Sequence, residues 1–207
     1  MTIFNVHFDV ADMEGKTVLV FLKPQNPQRD YRIHAWQVLT GSAGSTEAFQ
    51  YEAVIATDVS SHGGKAGSLI VSERKAIEPG NLLKAVCSSS MLPYLEPASR
   101  SLAEAKLTPQ QCGVINQTNP YIQFDSNWYV NDRPVVTMPN VDTNMTVSFE
   151  YLPNFYFMVA NPPLVGQTYI VQNFSDMTQY VAPITATEVN VTLSHPNGLW
   201  NFDFNAS

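Results

Sequence analysis

Apolar and polar residues alternate with a period of two through most of this chain, and this alternation restricts the folds open to it. In residues 2–10, Phe4, Val6 and Phe8 fall on one side of the period and polar residues such as Asn5 on the other. Side chains of a β strand point alternately to the two faces of its sheet, so each such segment predicts a strand. One solvated face per strand is typical of antiparallel sheets.

Glycine and proline residues break the alternating segments at intervals of about 8–15 residues, as turns do in all-β domains. We therefore expect an all-β fold, an antiparallel β-sandwich built as one large or two small sandwiches. The 207 residues suffice for either arrangement. We expect a single all-β domain over residues 1–207 and leave open an internal division near residues 91–112, where the charge balance changes.

Two local segments predict other elements. Residues 97–106 combine strong helix formers with Pro97, which suits a first helical turn, and they predict one short helix. Residues 131–134 read Asn-Asp-Arg-Pro between two strand-like segments, and they predict a hairpin turn.

The charge distribution excludes several classes of partner. The net charge is −7, and residues 108–207 carry Arg133 as their one basic residue. Binding of nucleic acid or of anionic membranes requires clustered lysine and arginine, so neither partner is expected. No apolar segment is long enough for a transmembrane helix, and residues 1–10 do not resemble a signal peptide. We expect a soluble, cytoplasmic protein and leave open release by a route without a signal peptide.

Searches for catalytic and metal-binding motifs find none. The chain has no Gly-x-Ser-x-Gly, His-Glu-x-x-His or Cys-x-x-Cys pattern, and the glycine-rich residues 63–68 do not fit a phosphate-binding loop. We therefore predict no enzyme, no catalytic residue, no metal and no cofactor. Cys87 and Cys112 are expected to be buried thiols, and a disulfide between them is the alternative.

Two clusters of aromatic and amide residues are the candidate binding sites. Aromatic rings stack on the apolar faces of sugars, while amides and carboxylates bond sugar hydroxyls. Aromatic residues at strand spacing equally suit a protein core, and this alternative stays open for each of them. The two clusters are Asn127, Trp128, Tyr129, Asn131 and Asp132, and Asn197, Trp200 and Asn201.

Short segments in both halves resemble small bacterial β-proteins of the rhizosphere-induced RhiA type. The resemblance implies a bacterial, non-enzymatic protein of plant-associated or social life, and it supplies neither a catalytic residue nor a ligand. The segments are residues 20–27 (VFLKPQNP), 35–38 (AWQV), 41–44 (GSAG), 49–51 (FQY), 166–169 (GQTY), 188–193 (EVNVTL) and 200–202 (WNF).

These observations favour a non-enzymatic β-sandwich protein that binds a ligand or partner, with carbohydrate as the most concrete ligand. The main alternative is an abundant structural protein that assembles into a homo-oligomer, because many strands create edges that pair between chains. An enzyme whose residues converge only in the folded chain is a third and less favoured hypothesis.

Overall fold

The chain divides into two compact units, each described separately below. Unit 1 comprises Met1–Lys23, Ile33–Ala53 and Pro153–Ser207, and unit 2 comprises Pro24–Arg32 and Val54–Leu152. Residues 91–112 lie within unit 2, and the single domain over residues 1–207 stays a prediction. The computed structural model describes residues 1–24, 30–62, 68–90, 92–119, 121–150, 153–160, 177–183 and 185–207.

Strands dominate the described residues, which confirms the all-β prediction. In chain order they are β1 (Thr2–Asp9), β2 (Thr17–Leu22), β3 (Arg32–Ile33), β4 (Ala35–Leu39), β5 (Thr46–Tyr51), β6 (Ile55–His62), β7 (Leu69–Val71), β8 (Lys75–Ala76), β9 (Leu82–Cys87), β10 (Pro93–Pro97), β11 (Gln111–Asn116), β12 (Phe124–Val130), β13 (Arg133–Val141), β14 (Thr146–Glu150), β15 (Asn154–Ala160), β16 (Thr178–Val181), β17 (Glu188–Ser194) and β18 (Asn201–Ala206). Residues 166–172, which the sequence also predicts to form a strand, lie outside the described residues, as do the glycine-rich residues 63–67.

Unit 1 is a sandwich of two four-stranded sheets. Sheet A has the strand order β18-β17-β1-β5, and sheet B has the order β16-β15-β2-β4. Strand β1 shows the predicted alternation, with Phe4, Val6 and Phe8 fully buried and the intervening residues more exposed. Sheet A therefore turns one apolar face towards sheet B and one polar face outward.

Aromatic rings fill the space between sheets A and B. The Phe4 ring of sheet A stacks on Phe49 at a centroid distance of 4.8 Å and meets Phe155 of sheet B at the same distance. Phe155 also lies 5.0 Å from the ring of Tyr51 and 6.1 Å from that of Trp36. Such aromatic pairs contribute about 0.5–1.5 kcal/mol each beyond the burial of their area, so this cluster stabilises the sandwich.

Unit 2 pairs a four-stranded sheet with a larger one. Sheet C has the order β10-β9-β11-β14, and sheet D has the order β3-β13-β12-β6-β7, with β8 also paired to β6. The Trp128 ring of β12 lies 5.6 Å from the ring of Phe149 on β14, which joins the two sheets through aromatic packing. Both side chains are buried.

Parallel strand pairs occur in both units, a direction that the alternation does not specify. Strand β1 pairs with β17 in parallel, from Ile3 with Glu188 to Asp9 with Ser194, and β9 pairs with β11 in parallel. Alternation reports only that one face of a strand is solvated. The direction of a partner from a distant part of the chain is set by the path of the connection between them.

The helix and the hairpin turn both form where the sequence predicts them, and both are shorter than predicted because Pro97 belongs to β10 and residues 133–134 belong to β13. Helix α1 covers Arg100–Lys106, and the Ser99 hydroxyl accepts a hydrogen bond from the Leu102 amide at 3.3 Å. Pro97 ends β10 instead of starting the helix, because it pairs with β9 and Ser99 supplies the cap. Helices in the described part of the chain are too short or too polar to cross a bilayer.

The turn between β12 and β13 consists of Asn131 and Asp132. Their φ angles are 48° and 62°, so both residues adopt the left-handed conformation of a type I′ hairpin turn. Asparagine and aspartate tolerate this conformation better than most residues, which is why the sequence signal is reliable here.

Phe155→Ala should lower the free energy of unfolding by about 3–5 kcal/mol, because it removes a ring that contacts both sheets of unit 1 and leaves a cavity. Urea denaturation followed by near-ultraviolet circular dichroism measures the change. Leu199→Ala is the control in the same unit, since Leu199 is 72% exposed, and it should change stability by at most about 0.5 kcal/mol. Equal effects of the two substitutions would contradict the role assigned to the aromatic cluster.

Candidate functional site

The eight residues predicted to bind a ligand fall in different units. Those of unit 2 follow β12 and its turn, and they are Asn127, Trp128, Tyr129, Asn131 and Asp132. Those of unit 1 surround the connection from β17 to β18, and they are Asn197, Trp200 and Asn201.

Trp128 is a core residue. Its side chain is 0% exposed and shares the buried face of β12 with Phe124, Ser126 and Val130. The ring therefore presents no face to a ligand in solution. Trp128 therefore belongs to the hydrophobic core, which is the alternative that the sequence left open for each aromatic residue.

Asn127 belongs to a partly buried hydrogen-bond network that includes Asp58. Its amide nitrogen donates to Asp58 Oδ1 at 2.9 Å and lies 3.1 Å from Ser60 Oγ, both on β6. Its amide oxygen accepts a bond from the Thr137 hydroxyl of β13 at 2.9 Å. Asp58 is only 3% exposed, so this network links three neighbouring strands of sheet D.

Tyr129 and Asp132 meet Arg74, a residue that sequence patterns did not single out. The guanidinium carbon of Arg74 lies 3.5 Å from the centre of the Tyr129 ring. Arg74 Nε lies 3.8 Å from Asp58 Oδ2, and Nη1 lies 3.4 Å from Asp132 Oδ1. Burial, followed by the hydrogen bond to Asp58, raises the pKa of Tyr129 to about 12.

Several polar groups of this cluster in unit 2 bind one another. Two carboxylates face the Arg74 guanidinium, and the tyrosine ring and hydroxyl are both engaged. An open depression of about 560 Å³ lies beside Asp58, Arg74 and Asp132, with apolar walls such as Val54 and Val71. The arrangement suits a role in holding the hairpin of β12 and β13 against β6.

Trp200 is the most accessible tryptophan of the chain. It is half-buried, whereas Trp36 and Trp128 are at most 1% exposed. Its ring stacks on the His195 ring at a centroid distance of 4.0 Å and an interplanar angle of 16°. Between them runs a short turn, Pro196–Gly198, in which Asn197 is exposed with φ 54°.

The rings of Trp200 and His195 line an open cleft in unit 1. The cleft has a volume of about 530 Å³, and its other walls include Ser194 and Lys16. Carboxylates are concentrated around it, and one of them, Asp12, accepts a 2.7 Å hydrogen bond from the Glu14 amide. The carboxylates that line the cleft are those of Asp9, Asp12 and Glu14. An aromatic ring therefore stands beside charged and polar groups in a concave surface.

The outer face of sheet A continues from this cleft as polar rows. Each row crosses β1, β17 and β18 at paired positions, and Asn201 belongs to the row nearest Trp200. Its amide donates to Asp203 Oδ2 at 2.9 Å. The first row is Asp9, Ser194 and Asn201, the second is His7, Thr192 and Asp203, and the third is Asn5, Asn190 and Asn205.

Metal binding and thiol chemistry receive no support from the described residues. Among them, no three His, Cys, Asp or Glu side chains are grouped so that they could hold a metal ion. Cys87 and Cys112 are free thiols, half-buried and buried respectively. Burial raises the pKa of Cys112 to about 12 and also raises that of Cys87. A nucleophilic cysteine requires a lowered pKa, so both thiols are poorly reactive.

The raised pKa of Tyr129 predicts a loss of stability in strong alkali. The unfolded chain ionises this phenol from about pH 10, whereas the folded chain holds it neutral up to about pH 12. Its stabilising contribution is therefore complete below pH 10 and falls as the pH rises towards 12. In Tyr129→Phe the free energy of unfolding should fall less over this interval, as measured by urea denaturation at several pH values.

The control for this experiment is Tyr121→Phe, since Tyr121 is among the most exposed tyrosines in unit 2. This variant should follow the wild-type protein at every pH. If Tyr129→Phe lost stability in parallel with the wild-type protein, the environment assigned to Tyr129 would be wrong.

Comparisons with known proteins assign no family to this chain. No protein-family model, no curated protein and no solved structure matches it. The resemblance to RhiA-type proteins therefore stays a prediction. The functional assignment below is therefore based on the chemistry of the described surface.

Proposed function

We propose that the chain is a carbohydrate-binding protein and that the cleft beside Trp200 is its binding site. The observation that carries this proposal is a half-buried tryptophan in a concave surface with carboxylates, a lysine and a hydroxyl around it. Sugars combine apolar ring faces with many hydroxyls, and this surface offers a partner to both.

The stacked His195 ring supports Trp200 as a platform. Stacking at 4.0 Å restrains the indole, so less side-chain freedom is lost when a sugar packs against it. Both rings precede β18, whose pairing with β17 fixes the ends of the turn. A restrained ring on a regular hairpin is suited to hold a ligand in one orientation.

Charge around the cleft favours ligands without negative charge. Three carboxylates line the cleft, those of Asp9, Asp12 and Glu14, against one lysine, Lys16, which has an interaction partner of its own. An anionic sugar would meet net repulsion at this site, whereas neutral hydroxyls can donate hydrogen bonds to the carboxylates.

Trp200→Ala should weaken glycan binding about fivefold or more, because stacking of a ring contributes on the order of 1 kcal/mol or more. A glycan array identifies the ligand, and isothermal titration calorimetry then measures its affinity for each variant. Trp200→Phe should retain part of the affinity, and Leu199→Ala, next to the ring but not among the lining residues, should retain all of it. Undiminished binding by Trp200→Ala would refute the site, and no binding across a broad array would refute the function.

Tryptophan fluorescence provides an independent readout. Since Trp36 and Trp128 are buried, a soluble quencher such as acrylamide should act mainly on Trp200. A bound glycan should protect that emission from the quencher. In Trp200→Phe both the accessible emission and the protection should disappear.

Self-assembly is a second candidate function, and the edge of sheet D favours it. Strand β7 lies at that edge, and its Leu69 and Val71 are 58% and 49% exposed. An edge strand with exposed apolar side chains can pair with a strand of another chain. Light scattering should then detect a dimer or larger assembly that Leu69→Lys with Val71→Lys dissociates. A strictly monomeric wild-type protein at high concentration would exclude this candidate.

A further inference from the structure

We infer that the ligand is an extended, uncharged oligosaccharide chain that starts at Trp200 and continues across the outer face of sheet A. This inference rests on the proposed function and adds the class of ligand and a second part of the site. It follows from the continuity, the spacing and the charge of the polar rows on β1, β17 and β18.

The cleft and the sheet face form one continuous surface. Asp9 and Ser194 line the cleft, and both also belong to the first polar row, which ends at Asn201. A sugar stacked on the indole therefore lies beside Asp9 and Ser194, where the first row begins.

The rows extend further than a single sugar ring. Successive rows are two residues apart along each strand, about 6.6 Å, so the first and third rows lie about 13 Å apart. The third row places Asn5, Asn190 and Asn205 side by side on three paired strands. A monosaccharide bound at Trp200 cannot reach this row, whereas an oligosaccharide can.

Amide side chains in the third row keep capacity for hydrogen bonds with a ligand. Asn190 and Asn205 are exposed, and Asn205 forms no side-chain hydrogen bond with another described residue. The Asn5 amide lies 3.2 Å from Asn190 Oδ1 and donates to Glu188 Oε1 at 2.7 Å, which orients it across the row. An amide both donates and accepts, and a sugar hydroxyl does the same, so the two match without charge.

The charge of sheet A selects against anionic chains. None of its four strands contains a lysine or an arginine. Its outward positions include the carboxylates of Asp9, Glu188 and Asp203. A uronic-acid or sulfated polymer lying along the rows would therefore meet repulsion and no compensating cation. A neutral chain meets only hydrogen-bonding partners.

Calorimetric titration with neutral linear oligosaccharides tests the inference. The probes are glucose, mannose, xylose and N-acetylglucosamine oligomers, each from the monosaccharide to the hexasaccharide, with oligogalacturonate as the anionic comparison. The wild-type protein should bind at least one neutral series with an affinity that rises with chain length, and it should bind oligogalacturonate at least tenfold more weakly.

The variant Asn190→Ala with Asn205→Ala separates the two parts of the site. Loss of two neutral hydrogen bonds should weaken binding of the hexasaccharide by roughly tenfold and leave the shortest bound sugar unaffected. Asn81→Ala, an exposed asparagine in unit 2, is the matched control and should bind as the wild-type protein does. Thermal unfolding of each variant shows that the fold is retained.

The outcomes distinguish this inference from the proposed function. If affinity depended on Trp200 but not on chain length, or if the double variant bound the hexasaccharide normally, the extended site would be refuted and the proposed function would stand. Binding of oligogalacturonate as tight as that of neutral chains would refute the charge selection. Absence of binding to any sugar, on the array and in titration, would refute both proposals.

Discussion

Burial of aromatic rings between sheets A and B is the constraint on which unit 1 depends. Phe4 reaches both Phe49 of its own sheet and Phe155 of the facing sheet, at 4.8 Å in each case. Because a strand alternates its side chains, fixing Phe4 inward also fixes Asn5 and Ile3 outward. The polar outer face of sheet A is therefore a consequence of the core. A slip of one residue in register would expose the rings and bury the amides. Burial of the rings therefore also keeps the amides on the outer face of sheet A.

The sequence predicted those features that depend on near neighbours along the chain. The strands follow from alternation, and the type I′ turn at Asn131 and Asp132 follows from two residues that tolerate positive φ. Contacts between distant segments left no such signal. Asp58 and Arg74 meet Tyr129 only because β6 pairs with β12, and β1 pairs with β17 only in the folded chain. Pairing of strands far apart in sequence is set by the whole fold.

The two candidate tryptophans show what sequence patterns can and cannot resolve. Both stand among asparagines, so their composition alone did not separate them. Parity does not separate them either, because Trp128 shares the parity of the buried Val130 and Trp200 shares that of the buried Phe202. Trp128 lies within its strand and is buried, whereas Trp200 precedes β18, follows the Asn197 turn and is only half-buried. The exposure of Trp200 follows from its position outside the end of the strand, which alternation does not reveal.

A binding surface made from the polar half of an alternating strand leaves no motif in the sequence. Motif searches detect unusual residues at fixed spacing, such as a strained glycine turn or a pair of histidines. The rows of sheet A use ordinary residues, Asn190 and Thr192 among them, at the spacing that any strand imposes. Their chemistry arises when pairing brings them beside Asn5, His7 and Asp203. Such a surface becomes visible only through strand register, which explains why no sequence motif marks the rows proposed here as part of a binding site.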